Sequence, residues 1–256
     1  AGKTTTMRAV FGLIAPDSGA VTYNGQEIGV ETRLRFGYMP EERGLYPRMR
    51  IREQLIYFGR LSGLPKGEAA ASSDVWLERL GLADRADAKL EDLSHGNQQR
   101  IQLATAVVHG PELLVLDEPF SGLDPIGVES LSGVLRQFSA DGAAILFSSH
   151  QLDLVEHICD DVAIVSDGRV IVDGDLQHIR ESASYRRVEV RVDGALWTPP
   201  VGNAKEVKTA GRPHHIVDAD LDVEQLLQLA RADGSITRFS YEAPALSDIF
   251  YEAVTR

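Results

Sequence analysis

The four residues Leu113-Leu114-Val115-Leu116 are all apolar and lead directly into Asp117-Glu118-Pro119. A short apolar run with no polar alternation suits a strand covered on both faces, as in a parallel sheet layered with helices. Two further runs, 144–147 and 162–165, read as buried strands of the same kind, with helical patterns at about 126–140 and 151–159 between them. Strand–helix–strand alternation of this sort predicts an α/β fold with a mainly parallel sheet. The two acids would stand at the carboxyl edge of that sheet, where open α/β folds bind their ligands.

The rest of the chain divides around this centre. A helix is expected from Lys3 to Leu13, with Met7, Val10, Phe11 and Ile14 on one stripe. Val21 and Tyr23 before Asn24-Gly25 predict a hairpin, and Leu34 to Met39 a strand stopped by Pro40. From about 50 to 110 the pattern is helical, with Leu55, Phe58 and Leu61 on one stripe and Val75, Leu77 and Leu80 on another that Gly81 ends. After about residue 184 the character changes. Val188, Val190 and Val192 alternate with charged residues as a half-exposed strand, followed by a loop holding Pro199, Pro200 and Gly202. Strands near 214–221 and 235–242 alternate with helices carrying Val223, Leu226, Leu227 and Ala230, then Leu246, Ile249, Phe250 and Val254. Two domains are expected: residues 1–184, with a helical subdomain at about 45–110, and a small α+β domain at 185–256.

Composition narrows the function. A formal charge of −12 over 256 residues argues against a nucleic-acid binder, which normally carries a basic face. No uncharged apolar run reaches the roughly 18 residues of a membrane helix, so a transport role would need a separate membrane partner. Cys159 is the sole cysteine, expected as a small buried residue in a helix, and it permits no intrachain disulfide. The adjacent His214 and His215 would point to opposite faces of a strand, which disfavours a shared metal.

Several short motifs carry chemistry. Gly2-Lys3-Thr4-Thr5 opens a helix and has the form of the end of a phosphate-binding loop, G-x-x-x-x-G-K-[ST]. There, backbone N–H groups converge on phosphates, the Lys reaches them, and the Thr4 hydroxyl would ligate Mg²⁺. Alone, the same residues also fit an ordinary helix start. Asp117 would hold the metal and Glu118 would take a proton from the attacking water, although a strand ending in two acids can equally be a solvated loop. Leu93-Ser94-His95-Gly96-Asn97-Gln98-Gln99-Arg100 opens another helix, where Ser94 could serve simply as an N-cap. Ser121-Gly122-Leu123-Asp124 follows the acids, Ser148-Ser149-His150 ends the next strand, and Gly37-Tyr38-Met39-Pro40-Glu41-Glu42 ends an earlier one.

In this order and spacing, the motifs resemble those of the ABC ATPases over residues 1 to about 170. Leu93–Asn97 resembles the LSGGQ signature, Ser121–Asp124 the D-loop, His150 the family's lone histidine at a strand's end, and Glu41 the Q-loop position. The resemblance implies a P-loop NTPase fold and a head-to-tail dimer with ATP and Mg²⁺ as cofactors. ATP would be held by Gly2, Lys3, Thr4 and Thr5 of one subunit and covered by Ser94 and Gly96 of the other, with Asp124 nearby. His150 would contact the γ-phosphate, and Glu41 would reach Mg²⁺ or water. GYMPEERGLYP with LSHGNQQ, and a tail ending Leu246-Ser247-Asp248-Ile249-Phe250, is similar to one exporter-type branch. That implies an ABC permease and a second nucleotide-binding subunit as partners, on the inner face of the cell membrane.

The sequence also departs from the family pattern. Glu41 replaces the usual Gln, while His95 and Asn97 stand at Gly and Gln positions of the signature. The first Gly of the phosphate loop and two preceding strands would lie upstream of Ala1. The expectation is an N-terminally truncated chain that binds ATP poorly while its parent hydrolyses it. The alternatives are a soluble ABC ATPase acting on the ribosome or DNA, and a catalytically silent remnant.

Overall fold

The structure is a computed structural model that describes residues 2–201, 204–209 and 212–255. The chain forms two compact units, one from Gly2 to His150 and the other from Gln151 onward.

The first unit begins with α1 (Lys3–Val10), entered through Gly2 at φ 100, a left-handed conformation that costs glycine little. The helix is shorter than expected because the chain turns at Phe11 and Gly12 (φ 67). Ile14 is therefore exposed and not part of a buried stripe. The two short strands β1 (Thr22–Tyr23) and β2 (Gln26–Glu27) form the expected hairpin, with Asn24 and Gly25 both at positive φ as a type I′ turn requires. Then come α2 (Val30–Arg33), β3 (Phe36–Met39), α3 (Ile51–Leu61), α4 (Lys66–Arg79), α5 (His95–Val107), β4 (Leu113–Leu116), α6 (Pro125–Ala140) and β5 (Ala144–Phe147).

Strands β3, β4 and β5 make a parallel sheet in that order, with Phe36 opposite Leu113 and Leu113 opposite Ala144. The centre is dry: Met39, Leu114, Val115 and Leu116 have no accessible surface. Strand β5 corrects the expectation of a buried run. Among the described residues it pairs only with β4, and Ala144 and Leu146 on one face are exposed. In the helical part α3 lies against α4 at Gly59, where an added Cβ would come 3.2 Å from that of Ala69. Leu61 and Val75 were expected in the core and are exposed, whereas Leu55, Leu77 and Leu80 are buried.

The second unit contains α7 (Leu152–Ile158), β6 (Asp161–Ser166), β7 (Arg169–Asp175) and α8 (Leu176–Glu181). Residues 162–165 do not extend the parallel sheet. They pair antiparallel with β7, a strand the sequence pattern missed, across Asp167-Gly168, both at positive φ. Cys159 caps the end of α7 in extended conformation and is not inside a helix. Burial pushes its thiol up to about 11, so it stays protonated and unreactive at neutral pH.

The chain continues with β8 (Tyr185–Val192), β9 (Ala195–Leu196), β10 (Lys205–Thr209), β11 (Arg212–Asp218), α9 (Val223–Asp233), β12 (Ile236–Glu242) and α10 (Leu246–Thr255). The antiparallel sheet runs β10-β11-β8-β12, with β9 on β8; β10 was not expected, and Gly202 lies outside the described residues. Val188, Val190 and Val192 pack with Leu226 and Ala230 of α9, as their periodicity implied. The other face of β8 is not the solvated one expected. Glu189 is buried there between Arg191 (2.8 Å) and Arg238 (3.3 Å). His214 and His215 are both buried, with His214 Nε2 3.6 Å from Asp248 Oδ1.

The guanidinium of Arg191, helped by Arg238, holds the Glu189 carboxyl below the usual carboxylate range. A depressed carboxylate pKa stabilises the fold above the unfolded value, and that stabilisation is lost as pH falls through the folded value. Glu189→Gln is therefore expected to lower Tm at pH 7 and to flatten the fall of Tm below about pH 4.3, the ordinary glutamate value. Thermal unfolding followed from pH 3 to 7 checks both. An unchanged acid limb would mean that the two arginines act on Glu189 only through packing.

Candidate functional site

The site is built where β4 and β5 end, next to the start of α1. The backbone N–H of Asp117 donates to Met39 O (2.8 Å) and that of Ser148 to Leu116 O (2.9 Å), so the ladder runs one residue past each strand. In a parallel pair, side chains in register share a face, and alternate residues along a strand share it too. Asp117 thus lies on the same face as Tyr38, whose ring stacks on Phe11 just beyond α1 (4.8 Å). Burial, with a smaller push from the Asp117 carboxylate, raises the Tyr38 phenol above its ordinary value and keeps it protonated.

Asp117 is almost fully buried. Ser148 Oγ donates to its Oδ1 (2.6 Å), and the same hydroxyl accepts the backbone N–H of Glu118 (3.0 Å). Asp117 Oδ2 is buried with no protein partner, an acceptor left for a cation or a water. The next residue, Glu118, has φ 50, a left-handed conformation uncommon for a residue with a Cβ. The turn aims its carboxylate toward α1 and the end of β5. Lys3 Nζ lies 3.4 Å from Glu118 Oε1 and donates to Ser149 O (3.0 Å), while His150 Nδ1 lies 2.9 Å from Glu118 Oε2. One carboxylate thus sits between an ammonium and an imidazole, with its own side chain mostly shielded and that of His150 mostly open.

A second group forms around the start of α5. Ser94 is the N-cap, accepting from Asn97 N (3.4 Å), and Asp124 caps α6 by accepting from Gly127 N (2.6 Å). The His95 ring lies against Gly122, where an added Cβ would be 2.8 Å from its Cε1, and Leu123 lies close to Gly96. Among the described residues, no hydrogen bond joins this group to Lys3 or Glu118. Glu41 is exposed just beyond β3, and Thr4 and Thr5 lie in the first turn of α1.

The ABC transporter family model matches residues 1–121, and that of the ATP-binding protein DrrA1-3-like, C-terminal domain, matches residues 174–254. The chain is 40% identical over 257 residues to an uncharacterized ABC transporter ATP-binding protein, YhaQ, of Bacillus subtilis (strain 168), covering 99% of this chain and 86% of that protein. The chain belongs to the ABC transporter ATP-binding proteins. It is 38% identical over 177 residues to a Nod factor export ATP-binding protein I of Burkholderia lata, covering 68% of this chain and 58% of that one. A solved ATP-binding subunit of an ABC transporter superposes with a TM-score of 0.63 at 34% identity, over 70% of this chain and 76% of that chain.

The first family match covers β3, β4 and the helices between them, and the second falls in the C-terminal α+β region. The sequence singles out Ser148 only as part of Ser148-Ser149-His150; its link from Asp117 to the backbone of Glu118 depends on the pairing of β4 with β5. Residue-type reasoning missed the glutamines of α5, whose side chains reach neighbouring loops. No helix of the described residues is long and apolar enough to cross a membrane.

Proposed function

We propose that this ABC ATP-binding protein hydrolyses ATP at the Lys3–Asp117–Glu118–His150 cluster and powers an exporter-type permease through a head-to-tail dimer. The observation that carries this reading is the Glu118 carboxylate held between Lys3 and His150, one residue beyond a buried Asp117 with a free acceptor oxygen. These groups suit a nucleotide triphosphate with Mg²⁺. Lys3 and the amides of Gly2, Thr4 and Thr5 would bind phosphate oxygens at the helix N-terminus. Thr4 and Asp117 would hold Mg²⁺, with Glu41 as a further acid on the water side. No group of three or more His, Cys, Asp or Glu among the described residues is placed to hold a metal alone. That fits an ion that takes most of its ligands from phosphates and water.

Bound ATP supplies the electrophilic phosphorus. Glu118 would accept the proton of the water that attacks the γ-phosphorus as ADP leaves, and His150, which holds the far side of the same carboxylate, would contact the γ-phosphate. Ser94, Gly96 and Asp124 would complete the site from a second subunit, where the N-terminal amides of α5 face an anion. The nucleotide-binding domain is taken to reach about residue 184, with 185–256 as an accessory domain that supports the dimer. A permease partner places the protein at the inner face of the membrane, and the export-type relative supports the direction of transport.

The test is phosphate release from ATP-Mg by a protein carrying these residues behind a complete phosphate-binding loop. Lys3→Ala is expected to lower kcat/KM by about 100-fold, as loss of a group that binds the transferring phosphoryl does. Unchanged turnover in that variant would move the phosphate site away from α1.

A further inference from the structure

We propose that the glutamines on the buried side of α5 are positioning residues that fix the acid pair and the loop after β3 to one rigid helix. The functional consequence rests on the ATP-hydrolysis reading above. Gln99 Nε2 donates to Pro119 O (2.9 Å), the carbonyl immediately after Glu118. Gln102 Nε2 donates to Pro40 O (2.7 Å), the carbonyl immediately before Glu41. Gln98 accepts from Arg43 Nη1 (2.5 Å) and donates to Leu93 O (3.0 Å) beside Ser94. Gln98 and Gln102, four apart on the helix, serve the loop after β3, and Gln99 serves the loop after β4.

Packing alone does not explain these amides. Gln99 and Gln102 are buried beside Ile101, Leu103 and Ala104, and Gln102 Oε1 has no hydrogen-bond partner. An apolar side chain of equal length would fill the space without stranding an acceptor, because a buried unpaired polar group is unfavourable. What the amides provide is a donor for each of two carbonyls that lie just past a strand end. Pro40 and Pro119 both follow a strand, and neither has an N–H to extend a ladder. Fixing Pro119 also supports the left-handed backbone at Glu118, which lacks the freedom of a glycine. Through α5 the positions of Glu118, Glu41 and Ser94 are set together.

Gln99→Met and Gln102→Met keep the volume and remove the donor. Gln54→Met is the control, because Gln54 is equally buried and bonds only the backbone of Tyr46. Gln99→Met is expected to lower kcat by about 10- to 100-fold with KM for ATP nearly unchanged, the cost of a catalytic group displaced by a fraction of an ångström. Amide hydrogen exchange reads the same effect without turnover. Glu118 and Ser121 should exchange about 10-fold faster in Gln99→Met, and Asp117 in Gln102→Met, with the rest of the chain unchanged. Should Gln99→Met fail to fold, Gln99→Leu, which also removes the donor without adding a charge, carries the same test. Wild-type exchange at these amides, or an even rise like that of Gln54→Met, overturns the proposal. A wild-type protein that releases no phosphate removes the hydrolysis reading, and the exchange pattern still decides whether the glutamines position the loops.

Discussion

Glu118→Gln is expected to slow steady-state phosphate release by about 100- to 10,000-fold, the range for loss of a general base. ATP-dependent association of two copies should persist. The substitution keeps the shape and length of the side chain, and glutamine is no worse suited than glutamate to φ 50 at this position. It removes the one property the reading depends on, a carboxylate able to take a proton. The arrangement around Glu118 makes the test clean. Its Oε1 faces Lys3 and its Oε2 faces His150, and an amide oxygen can still accept from the ammonium. Binding of phosphate by Lys3 and by the amides of α1 does not pass through the Glu118 charge, so nucleotide affinity should hold. Phosphate release and light scattering in ATP-Mg, on the protein with a complete phosphate-binding loop, give the two readouts. Turnover within tenfold of wild type would place the base elsewhere. Loss of association together with turnover would make Glu118 part of the binding surface, not the hydrolytic step.

Most of this site was legible because its chemistry is written in adjacent residues. Asp117 and Glu118 follow an apolar run, and His150 follows another, so strand ends alone bring them to one edge. Lys3 joins them because α1 begins beside the ends of β4 and β5, within reach of Glu118 and Ser149. What sequence could not show was geometry that depends on burial from a distance. Nothing in the alternation of 185–192 reveals that Glu189 is covered, since part of its cover, Arg238, comes from the neighbouring strand β12. Residues 162–165 have the composition of a buried parallel strand, yet Asp167-Gly168 turns them back on β7. That turn signal was present and was outweighed by hydrophobicity. The glutamines of α5 read as neutral helix formers, and only their reach to Pro40 and Pro119 distinguishes them from solvent-facing residues. The fold was therefore most readable where one element's own pattern decides its burial, and least where a neighbour does.

Gly37→Ala should be among the most destabilising single changes in the first unit. Gly37 is the second residue of β3 and pairs with Leu114 of β4, on the face covered by α5. A Cβ built there would lie 2.1 Å from Ala106 O, 2.9 Å from Leu114 Cδ1 and 3.0 Å from Pro111 Cγ. The leucine can change rotamer, but the carbonyl belongs to the last turns of α5 and can retreat only if the helix moves off the sheet. Overpacking of a core commonly costs about 1–3 kcal/mol, and a backbone collision belongs at or above the upper end. The gain from a stiffer unfolded chain, about 0.4–1 kcal/mol, does not offset it. At roughly 2–4 °C per kcal/mol for a chain of this size, Tm should fall by about 6–12 °C. Gly133→Ala, in α6 with open space around its Cβ, should instead hold or raise Tm, since alanine is the better helix former. The larger difference between the two is what stands in front of the new methyl, a backbone carbonyl in one case and open space in the other. The same displacement of α5 would carry Gln99 and Gln102 away from Pro119 and Pro40, so Gly37→Ala should also lose turnover well below its Tm. A Tm within about 2 °C of wild type, less than about 1 kcal/mol on the same scale, would mean that β3 and α5 can separate freely, and that α5 is not the rigid member on which the two loops are hung.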